Sequence, residues 1–332
     1  MAKKREESRF FIYDRPIEIN AKNLARVIYY CIKATVYKAA LLSNSVSLKN
    51  SKRNEKRYKV CICAIFKDEG EFLKEWIEYH LIVGIDHFYL YNNNSTDNYY
   101  EILKPYITEN IVTLVEWPKQ HAQIEAYFDA IKKYSDETKW MGFIDLDEYV
   151  VPVKHDNVYD FLKQYNYKAA SVLIYWKVFG SSGIINRDKD KMVVEQFTWA
   201  FPKWDDVGKC FYNTDYKFAQ DIEGINRVLH HYCWCKHGDL SIPPVNAQNR
   251  IAFPGHNVLT RIELPIQINH YLTKSYDDYY NKVMNKTDVY FEVNPRKMDY
   301  FYKIDSCCKK QDFKIFKYIT KLKKKMGKTE EN

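Results

Sequence analysis

The feature that most constrains the fold is a regular alternation of short apolar runs with helical patterns, which begins at Tyr58. The periodicity predicts strands over residues 58–67, 87–91, 111–117 and 169–179, and helices over 69–83, 99–106, 122–134 and 158–165. Strands that alternate with helices form mostly parallel sheets with right-handed crossovers, and such sheets bind ligands beyond the carboxyl ends of their strands. We therefore expect an α/β fold with its functional residues in the loops that follow the strands.

The composition is that of a globular protein. With 332 residues and 46% hydrophobic content, the chain can bury a core as one large or two modest domains, and no repeat or low-complexity linker forces a division. The 51 Lys and Arg residues against 43 acidic ones give a net charge of +8, which suits an anionic partner. Nucleic-acid binding ranks last among the candidate functions, because no known motif and no concentrated basic face in the core supports it.

The N-terminus predicts no secretory signal, because no apolar stretch follows its charged residues. The longest apolar candidate, residues 24–42, is interrupted by Arg26, Lys33 and Lys38, and it falls short of the roughly 20 apolar residues that span a bilayer. A cytoplasmic protein with no transmembrane helix is expected.

The eight cysteines are predicted to be reduced thiols. Cys61 and Cys63 are expected to share one strand face in the core. The segment 230–237, His-His-Tyr-Cys-Trp-Cys-Lys-His, contains metal-binding residue types, but its Cys-x-Cys spacing is tighter than that of usual zinc pairs and no second pair follows. Structural packing is therefore the favoured interpretation of this segment.

Two carboxylates, Asp145 and Asp147, stand one residue apart at the end of a further predicted strand. Residues i and i+2 of a strand point the same way, so we expect both carboxylates on one side where the strand leaves its sheet. Like charges this close repel each other, and Mg²⁺ or Mn²⁺ bound to carboxylates and substrate phosphates resolves the conflict. The alternative is a solvated acidic turn.

Two further loops follow predicted strands and are expected to converge with this pair on one cleft, namely residues 67–69 and 92–97. Later in the chain, Gly180-Ser181-Ser182-Gly183 forms a loop that can approach a ligand closely, with a plain turn as the alternative.

The two ends of the chain are basic. A predicted helix over residues 21–42 places one group of basic residues opposite a group of apolar ones, namely Lys22, Arg26 and Lys33 against Leu24, Ile28, Cys31 and Leu42. A second helix is predicted over 313–325, with an apolar face and a lysine face. Helices of this kind can lie on an anionic membrane surface, and the alternative is docking on the domain with the lysines in solvent.

The residues that follow resemble a known family in their order along the chain. They are the segments 67–80, 84–97, Phe143-Ile-Asp-Leu-Asp-Glu-Tyr-Val-Val-Pro152, 176–183, Lys209-Cys210 and 268–279. Over residues 58–288 the chain is similar to the family-92 glycosyltransferases, once called domain of unknown function 23. The resemblance implies a GT-A fold, a UDP-sugar donor and a divalent metal. It divides the chain into a basic arm (1–57), a GT-A domain (58–290) and a basic helical tail (291–332), with the nucleotide-sugar half of the domain at 58–152 and the acceptor half at 153–290.

The resemblance also implies roles on the donor side. Asp147 would coordinate the metal that bridges the donor diphosphate, and Asp145 would contact the ribose or the metal shell. Lys67, Asp68 and the pair Asn92-Asn93 would hold the base and the ribose, with surface turns as the alternative. Relatives commonly have an aspartate at position 92, so the amide here puts a charged hydrogen bond to the nucleotide in doubt. Three more residues are implied near the diphosphate: His270 as a metal ligand, and Lys209 and Lys274 at phosphate oxygens.

On the acceptor side, the family pattern suggests Glu195 as the general base, with Asp205 and Asp206 as rivals and a structural ion pair as the alternative for Glu195. Trp176 and Trp199 would lie near the acceptor, and Gly180, Ser181 and Ser182 would contact the substrate.

The function expected from these residues is metal-dependent transfer of a hexose, with galactose as a candidate, from a UDP-sugar to a glycan or glycolipid acceptor with inversion. The alternative is a non-catalytic protein of the same fold that binds nucleotide sugar or carbohydrate. The basic terminal helices would add a peripheral contact with the inner face of an anionic membrane.

Overall fold

The computed structural model describes residues 21–50, 55–120, 122–205, 207–219, 229–253, 263–285 and 297–328. A long helix α1 (Ala21–Asn50) comes first. Strands and helices then alternate as β1 (Tyr58–Phe66), α2 (Gly70–Ile82), β2 (His87–Asn92), α3 (Tyr99–Thr108), β3 (Val112–Glu116), α4 (Gln123–Tyr134) and β4 (Thr138–Phe143). The strands and helices predicted between residues 58 and 134 are confirmed to within about two residues at each boundary.

The second half contains shorter and less regular elements. They are β5 (Glu148–Pro152), α5 (Val158–Leu162), β6 (Ser171–Val178), α6 (Val193–Gln196), β7 (Trp199–Ala200), β8 (Gly208–Asn213), β9 (Lys217–Phe218), β10 (Cys235–His237), β11 (Leu240–Ile242), β12 (Val245–Asn246), β13 (Ile266–His270), α7 (Tyr276–Asn285), α8 (Met298–Cys307), β14 (Lys310–Gln311) and α9 (Ile319–Met326). Two predicted helices each contain a 3₁₀ turn, at Lys163–Tyr165 after α5 and at Lys314–Tyr318 before α9.

The main sheet has the strand order β3-β2-β1-β4-β8-β6-β13-β5, and β12 also pairs with β6. The strands β3, β2, β1 and β4 are parallel, whereas β8 runs antiparallel to both β4 and β6, and β5 runs antiparallel to β13. Helices flank the sheet. The predicted fold class, a GT-A-like α/β sheet with an irregular second half, is confirmed.

One apolar core joins both halves of the chain. It contains Trp76 and Trp140 from the first half, Ile268 from the second, and Leu322 from the C-terminal helix, all completely buried. Cys61 and Cys63 are buried as predicted. The domain boundaries at 57/58 and 290/291 stay predictions. A core that is shared along the chain does not show where a domain begins or ends.

The C-terminal helix α9 docks on the body of the protein. Tyr318, just before it, donates a hydrogen bond to the carbonyl of Pro152 (3.0 Å), and Lys323 forms an ion pair with Glu195 (2.8 Å). These contacts agree with the alternative prediction for this segment, in which the helix docks on the domain. A membrane contact through this helix stays a prediction.

The N-terminal helix α1 is longer than predicted and turns a different side to the body. Leu41 is buried, and the rings of Tyr30 and Tyr37 lie 4.8 and 6.1 Å from that of Phe253. Ile28, expected on an apolar side, is half exposed. The side chains of Lys22, Leu24 and Arg26 lie outside the described part. Among the described residues, no helix combines the length and the apolar character needed to cross a bilayer.

Candidate metal and donor site

The two aspartates of the motif lie in the turn that joins β4 to β5, because β4 ends at Phe143. The prediction that a strand carries them is therefore wrong. The indole N–H of Trp76 donates to the carbonyls of Asp145 (3.1 Å) and Glu148 (2.9 Å), and the amide of Tyr271 donates to the carbonyl of Asp147 (2.8 Å). These bonds fix the backbone of the acidic turn from two sides.

Asp145 is bound by three side chains of the protein. One carboxylate oxygen accepts from Lys209 (2.7 Å), and the other accepts from Gln123 and Tyr127 (3.2 Å each). Lys209 on β8 is completely buried and also lies 3.6 Å from Glu148. Burial alone would lower the pKa of Lys209, but the two carboxylates outweigh burial and raise it. Lys209 is thus a charged group beneath the acidic turn, and its predicted phosphate contact stays a prediction.

Asp147 faces two cationic or basic groups from the second half of the chain. One oxygen lies 3.0 Å from the ammonium nitrogen of Lys282, and the other lies 3.6 Å from Nε2 of His270. Burial alone would raise the pKa of Asp147, but Lys282 and His270 outweigh burial and hold this pKa well below its usual value. Asp147 is therefore ionised at neutral pH.

Glu148 is the third carboxylate of the turn and was not predicted to take part. Its side chain is completely buried, and Oε2 accepts the amide N–H of Asp145 (3.0 Å). Its Oε1 is also buried, and among the described residues it has no hydrogen-bond partner. Burial, with the neighbouring charges of Asp145 and Asp147, raises the pKa of Glu148 well above its usual value, although Lys209 opposes the shift. A cation at Oε1 would satisfy this atom.

Asp147, Glu148 and His270 each offer one ligand atom, and these atoms all lie within 4.8 Å of one another. Two carboxylate oxygens and an imidazole nitrogen form a donor set that suits Mn²⁺. These three residues therefore fit a divalent metal. The structure brings together two of the three predicted ligands, Asp147 and His270, and adds Glu148. A metal contact of Asp145 stays a prediction.

Trp176 packs on the imidazole of His270, with 4.5 Å between the ring centroids. Trp176 also contacts the ring of His231 (5.1 Å), whose Nδ1 lies 2.7 Å from the carbonyl of Gly208. Burial lowers the pKa of His231 to about 3, so this ring is neutral. Trp176 thus lies at the site, where it fixes the orientation of His270. Trp199 on β7 is 41% exposed.

Two lysines approach Asp147 from the segment that follows β13. Lys274 is nearly buried, and its ammonium lies 3.9 Å from the ring centroid of Phe72. Lys282 is on α7, whose first turn is capped because the hydroxyl of Ser275 accepts the amide N–H of Asp278 (3.1 Å). Nothing in the local sequence pattern singled out Lys282 or Glu148. The only signal for Glu148 was its position directly after the Asp-x-Asp pair.

The loops that follow β1 and β2 are tied to each other, which confirms that these two loops converge. The amide of Asp68 donates to the hydroxyl of Ser95 (3.0 Å), and a carboxylate oxygen of Asp68 accepts the amide N–H of Thr96 (2.6 Å). Lys67 begins this pair of loops. The nucleotide contacts of Lys67 and Asp68 stay predictions.

Asn92 and Asn93 use their amide groups to fix neighbouring loops. Asn92 donates to the carboxylate of Glu116 (2.7 Å) and accepts the amide N–H of Ser95 (2.9 Å). Asn93 donates to the carbonyl of Trp117 (2.8 Å). An aspartate at position 92 would meet the Glu116 carboxylate with like charge, which gives the amide a structural reason. The predicted base and ribose contacts are not tested by these bonds.

The loop after β6 is held by helix α8. Both the amide and the hydroxyl of Ser181 donate to Asp305 (2.8 and 2.7 Å), and a Cβ on Gly180 would come within 2.7 Å of the same carboxylate. The Ser182 hydroxyl accepts the amide N–H groups of Thr198 and Trp199 (2.9 and 3.1 Å). The protein itself uses these hydroxyl groups, and their substrate contacts stay predictions.

Among the proposed bases, Glu195 pairs with Lys323 (2.8 Å) and accepts the amide N–H of Met192 (3.3 Å). These contacts agree with the alternative prediction for Glu195, in which it forms a structural ion pair. Asp205 is nearly buried and accepts the amide N–H of Val207 (3.2 Å). Asp206 lies outside the described residues.

A family model described as Glycosyltransferase family 92 matches residues 56–300, about three quarters of the chain. The chain belongs to glycosyltransferase family 92. A family 92 protein of Ricinus communis is 29% identical over 136 residues, which are 40% of this chain and 25% of the relative. A galactan beta-1,4-galactosyltransferase of Arabidopsis thaliana is 31% identical over 135 residues, covering 36% of this chain and 27% of the relative. Each alignment thus spans about a quarter of the relative's length.

Among solved structures, the family 92 chain is similar to Staphylococcus aureus TarS residues 1–349 in complex with UDP. The similarity covers 52% of this chain and 53% of that one, with 13% sequence identity and a TM-score of 0.34.

Proposed function

We propose that this family 92 protein is a metal-dependent glycosyltransferase that moves a hexose from a UDP-sugar to a glycan or glycolipid acceptor with inversion. The observation that carries the proposal is the group formed by Asp147, Glu148 and His270 at the carboxyl edge of the parallel strands, where a buried oxygen of Glu148 has no hydrogen-bond partner among the described residues. Galactose is the proposed sugar, because relatives in Arabidopsis thaliana are named galactan beta-1,4-galactosyltransferases.

Asp147, Glu148 and His270 would hold Mn²⁺ or Mg²⁺, which would neutralise charge on the leaving diphosphate. Lys274 and Lys282 place two ammonium groups beside the same carboxylate, where they would donate to phosphate oxygens. Asp145, already neutralised by Lys209, would accept a hydrogen bond from the ribose. The loops that contain Lys67, Asp68, Asn92 and Asn93 would enclose the nucleoside.

On the acceptor side, Trp176 would offer its ring edge to the sugar, and the loop formed by Gly180, Ser181 and Ser182 would bound the pocket. The general base is proposed to come from Glu195 or from the pair Asp205-Asp206. The described contacts of Glu195 and Asp205 are with groups of the protein, and Asp206 lies outside the described residues, so all three stay candidates. Comparing Glu195→Gln with Asp206→Asn in a transfer assay decides between them, since loss of the base lowers transfer without weakening donor binding.

The test of the proposed function is transfer from UDP-galactose to a panel of galactan and glycolipid acceptors, with and without a chelator. We expect transfer only with Mn²⁺ or Mg²⁺, and loss of roughly 100-fold or more in Asp147→Asn, because several kcal/mol of charge stabilisation disappear. Transfer that survives chelation would reject the metal-dependent mechanism. Metal-promoted UDP-galactose binding without any product would favour the non-catalytic alternative.

A further inference from the structure

Helix α1 has two faces with different surroundings. The inner face packs on the body through Tyr30, Ala34, Tyr37 and Leu41, and Lys38 donates to the side-chain oxygen of Asn249 (2.8 Å). These contacts settle the orientation of the helix, so the residues on the opposite side form a distinct outer face.

The outer face is mainly apolar between Ala25 and Val46, among the side chains that the structure describes. Its seam consists of seven exposed residues at alternating spacings of three and four, namely Ala25, Ile28, Ile32, Thr35, Ala39, Leu42 and Val46. The four large side chains of this seam are between 50% and 69% exposed. Thr35 turns its hydroxyl to the carbonyl of Cys31 (2.9 Å), so its methyl group remains for the seam. Exposed apolar surface of this extent indicates a binding surface.

The charge of the helix identifies the kind of partner. Residues 21–50 contain five basic residues and no aspartate or glutamate, and one of the basic residues, Lys33, lies over the exposed ring of Tyr29, 4.6 Å from its centroid. A helix with an apolar strip, a net positive charge and no acidic residue complements a surface that has an apolar layer beneath an anionic one. The headgroup region of an anionic lipid leaflet has this character.

We propose that the outer face of α1 binds in the interface of an anionic lipid membrane, with the seam in the headgroup and acyl boundary and Lys33 at the phosphates. The spacing of the seam would also suit a coiled coil with a second copy of this chain. The charges disfavour that partner, because two copies bring two basic helices together and the seam's flanking positions offer no acidic side chain to pair with Lys33.

The experiment is vesicle sedimentation with the full chain and no donor or metal, so that its outcome is independent of the proposed transferase activity. We would compare phosphatidylcholine vesicles with mixed phosphatidylcholine and phosphatidylserine vesicles. The seam variant combines Ile32→Glu with Leu42→Glu. The matched control combines Tyr100→Glu with Tyr302→Glu, two exposed apolar residues on other helices.

We expect the wild type and the control to bind the mixed vesicles, with binding weakened by salt and by omission of phosphatidylserine. The seam variant should bind on the order of tenfold more weakly, with an unchanged circular dichroism spectrum and urea midpoint. The proposal is overturned if the wild type stays in the supernatant, or if the seam variant binds as well as the control. A wild-type dimer that the seam variant abolishes, without vesicle binding, would assign the face to a second copy instead.

Discussion

The two halves of the sheet contribute to the acidic turn in different ways. The parallel half supplies the turn itself and the indole of Trp76 that fixes it. The second half, which mixes parallel and antiparallel strands, supplies the groups that set its charge, namely Lys209 from β8, His270 from β13 and Lys282 from α7. The comparison teaches that both halves fix the backbone of the turn, through Trp76 and Tyr271, whereas the cationic and basic groups that act on its carboxylates come from the second half.

Among the predicted effects, the largest is expected for removal of Lys209, the buried cation that the second half places against the acidic turn. Lys209→Met leaves Asp145 and Glu148 without their buried counter-charge, so we expect the free energy of unfolding to fall by about 3 to 5 kcal/mol. Urea denaturation measures the change, with Lys217→Met, an exposed residue of β9, as the matched control. Equal urea midpoints for the two variants would show that the buried lysine does not balance the turn.

Loss of the indole donor tests the contribution of the parallel half. Trp76→Phe leaves two carbonyls of the turn without this donor, and we expect about 2 kcal/mol of lost stability together with weaker Mn²⁺ binding. The control is Trp140→Phe, another completely buried indole, whose N–H donates to Asn166. Both variants should lose stability, but only the first should lose Mn²⁺ affinity in calorimetry. The interpretation fails if both lose it equally.

Removal of Lys282 should strengthen metal binding. Its ammonium is bound to Asp147, and its positive charge competes with a metal ion for this carboxylate. Because the pair is partly exposed, we expect Lys282→Met to raise Mn²⁺ affinity by only about twofold to fivefold. Lys163→Met, which removes a surface partner of Asp160, should leave the affinity unchanged. A lower affinity in Lys282→Met would count against competition at Asp147.

The smallest expected effect is a pH dependence at the contact between α2 and α6. Burial raises the pKa of Glu75 to about 7, although the amide N–H groups of Val193 and Val194 oppose the shift. The folded state therefore keeps a proton that the unfolded chain releases above about pH 4.3. Stability contributed by Glu75 is fully present below that pH and is lost as the pH rises to about 7.

Urea midpoints between pH 4 and pH 8 measure this effect. The decline across the window should be smaller in Glu75→Gln than in the wild type, while Glu101→Gln, an exposed residue of α3, should follow the wild type. A decline in Glu75→Gln as steep as that of the wild type would show that other groups cause it.

The first half of the fold could be predicted from sequence because its elements depend on local periodicity. The strand at 58–66 and the helix at 70–82 each show their pattern within a short window. We predicted that Asp145 and Asp147 lie on a strand, whereas they lie in a turn. The apolar run before them contains no signal for the residue at which β4 stops pairing with its neighbouring strands.

The rest of the site depends on contacts between distant positions. Lys209 lies 64 residues from Asp145 along the chain, and Lys282 lies 135 residues from Asp147. No spacing rule connects such pairs. His270 was accessible only through the family resemblance, since a single histidine in an apolar strand has no distinguishing local pattern. Glu148 was overlooked because its role follows from complete burial, which the adjacent charges of the motif do not suggest.

The most direct test of the account is Mn²⁺ titration by calorimetry, with and without UDP, on Asp147→Asn, Glu148→Gln, Asp145→Asn and the wild type. The account predicts that the wild type binds Mn²⁺ more tightly when UDP is present. Asp147→Asn and Glu148→Gln should each lose most of this binding, and Asp145→Asn should retain more of it than either. Equal Mn²⁺ binding in all four proteins, or no effect of Mn²⁺ on UDP binding by the wild type, would contradict the account.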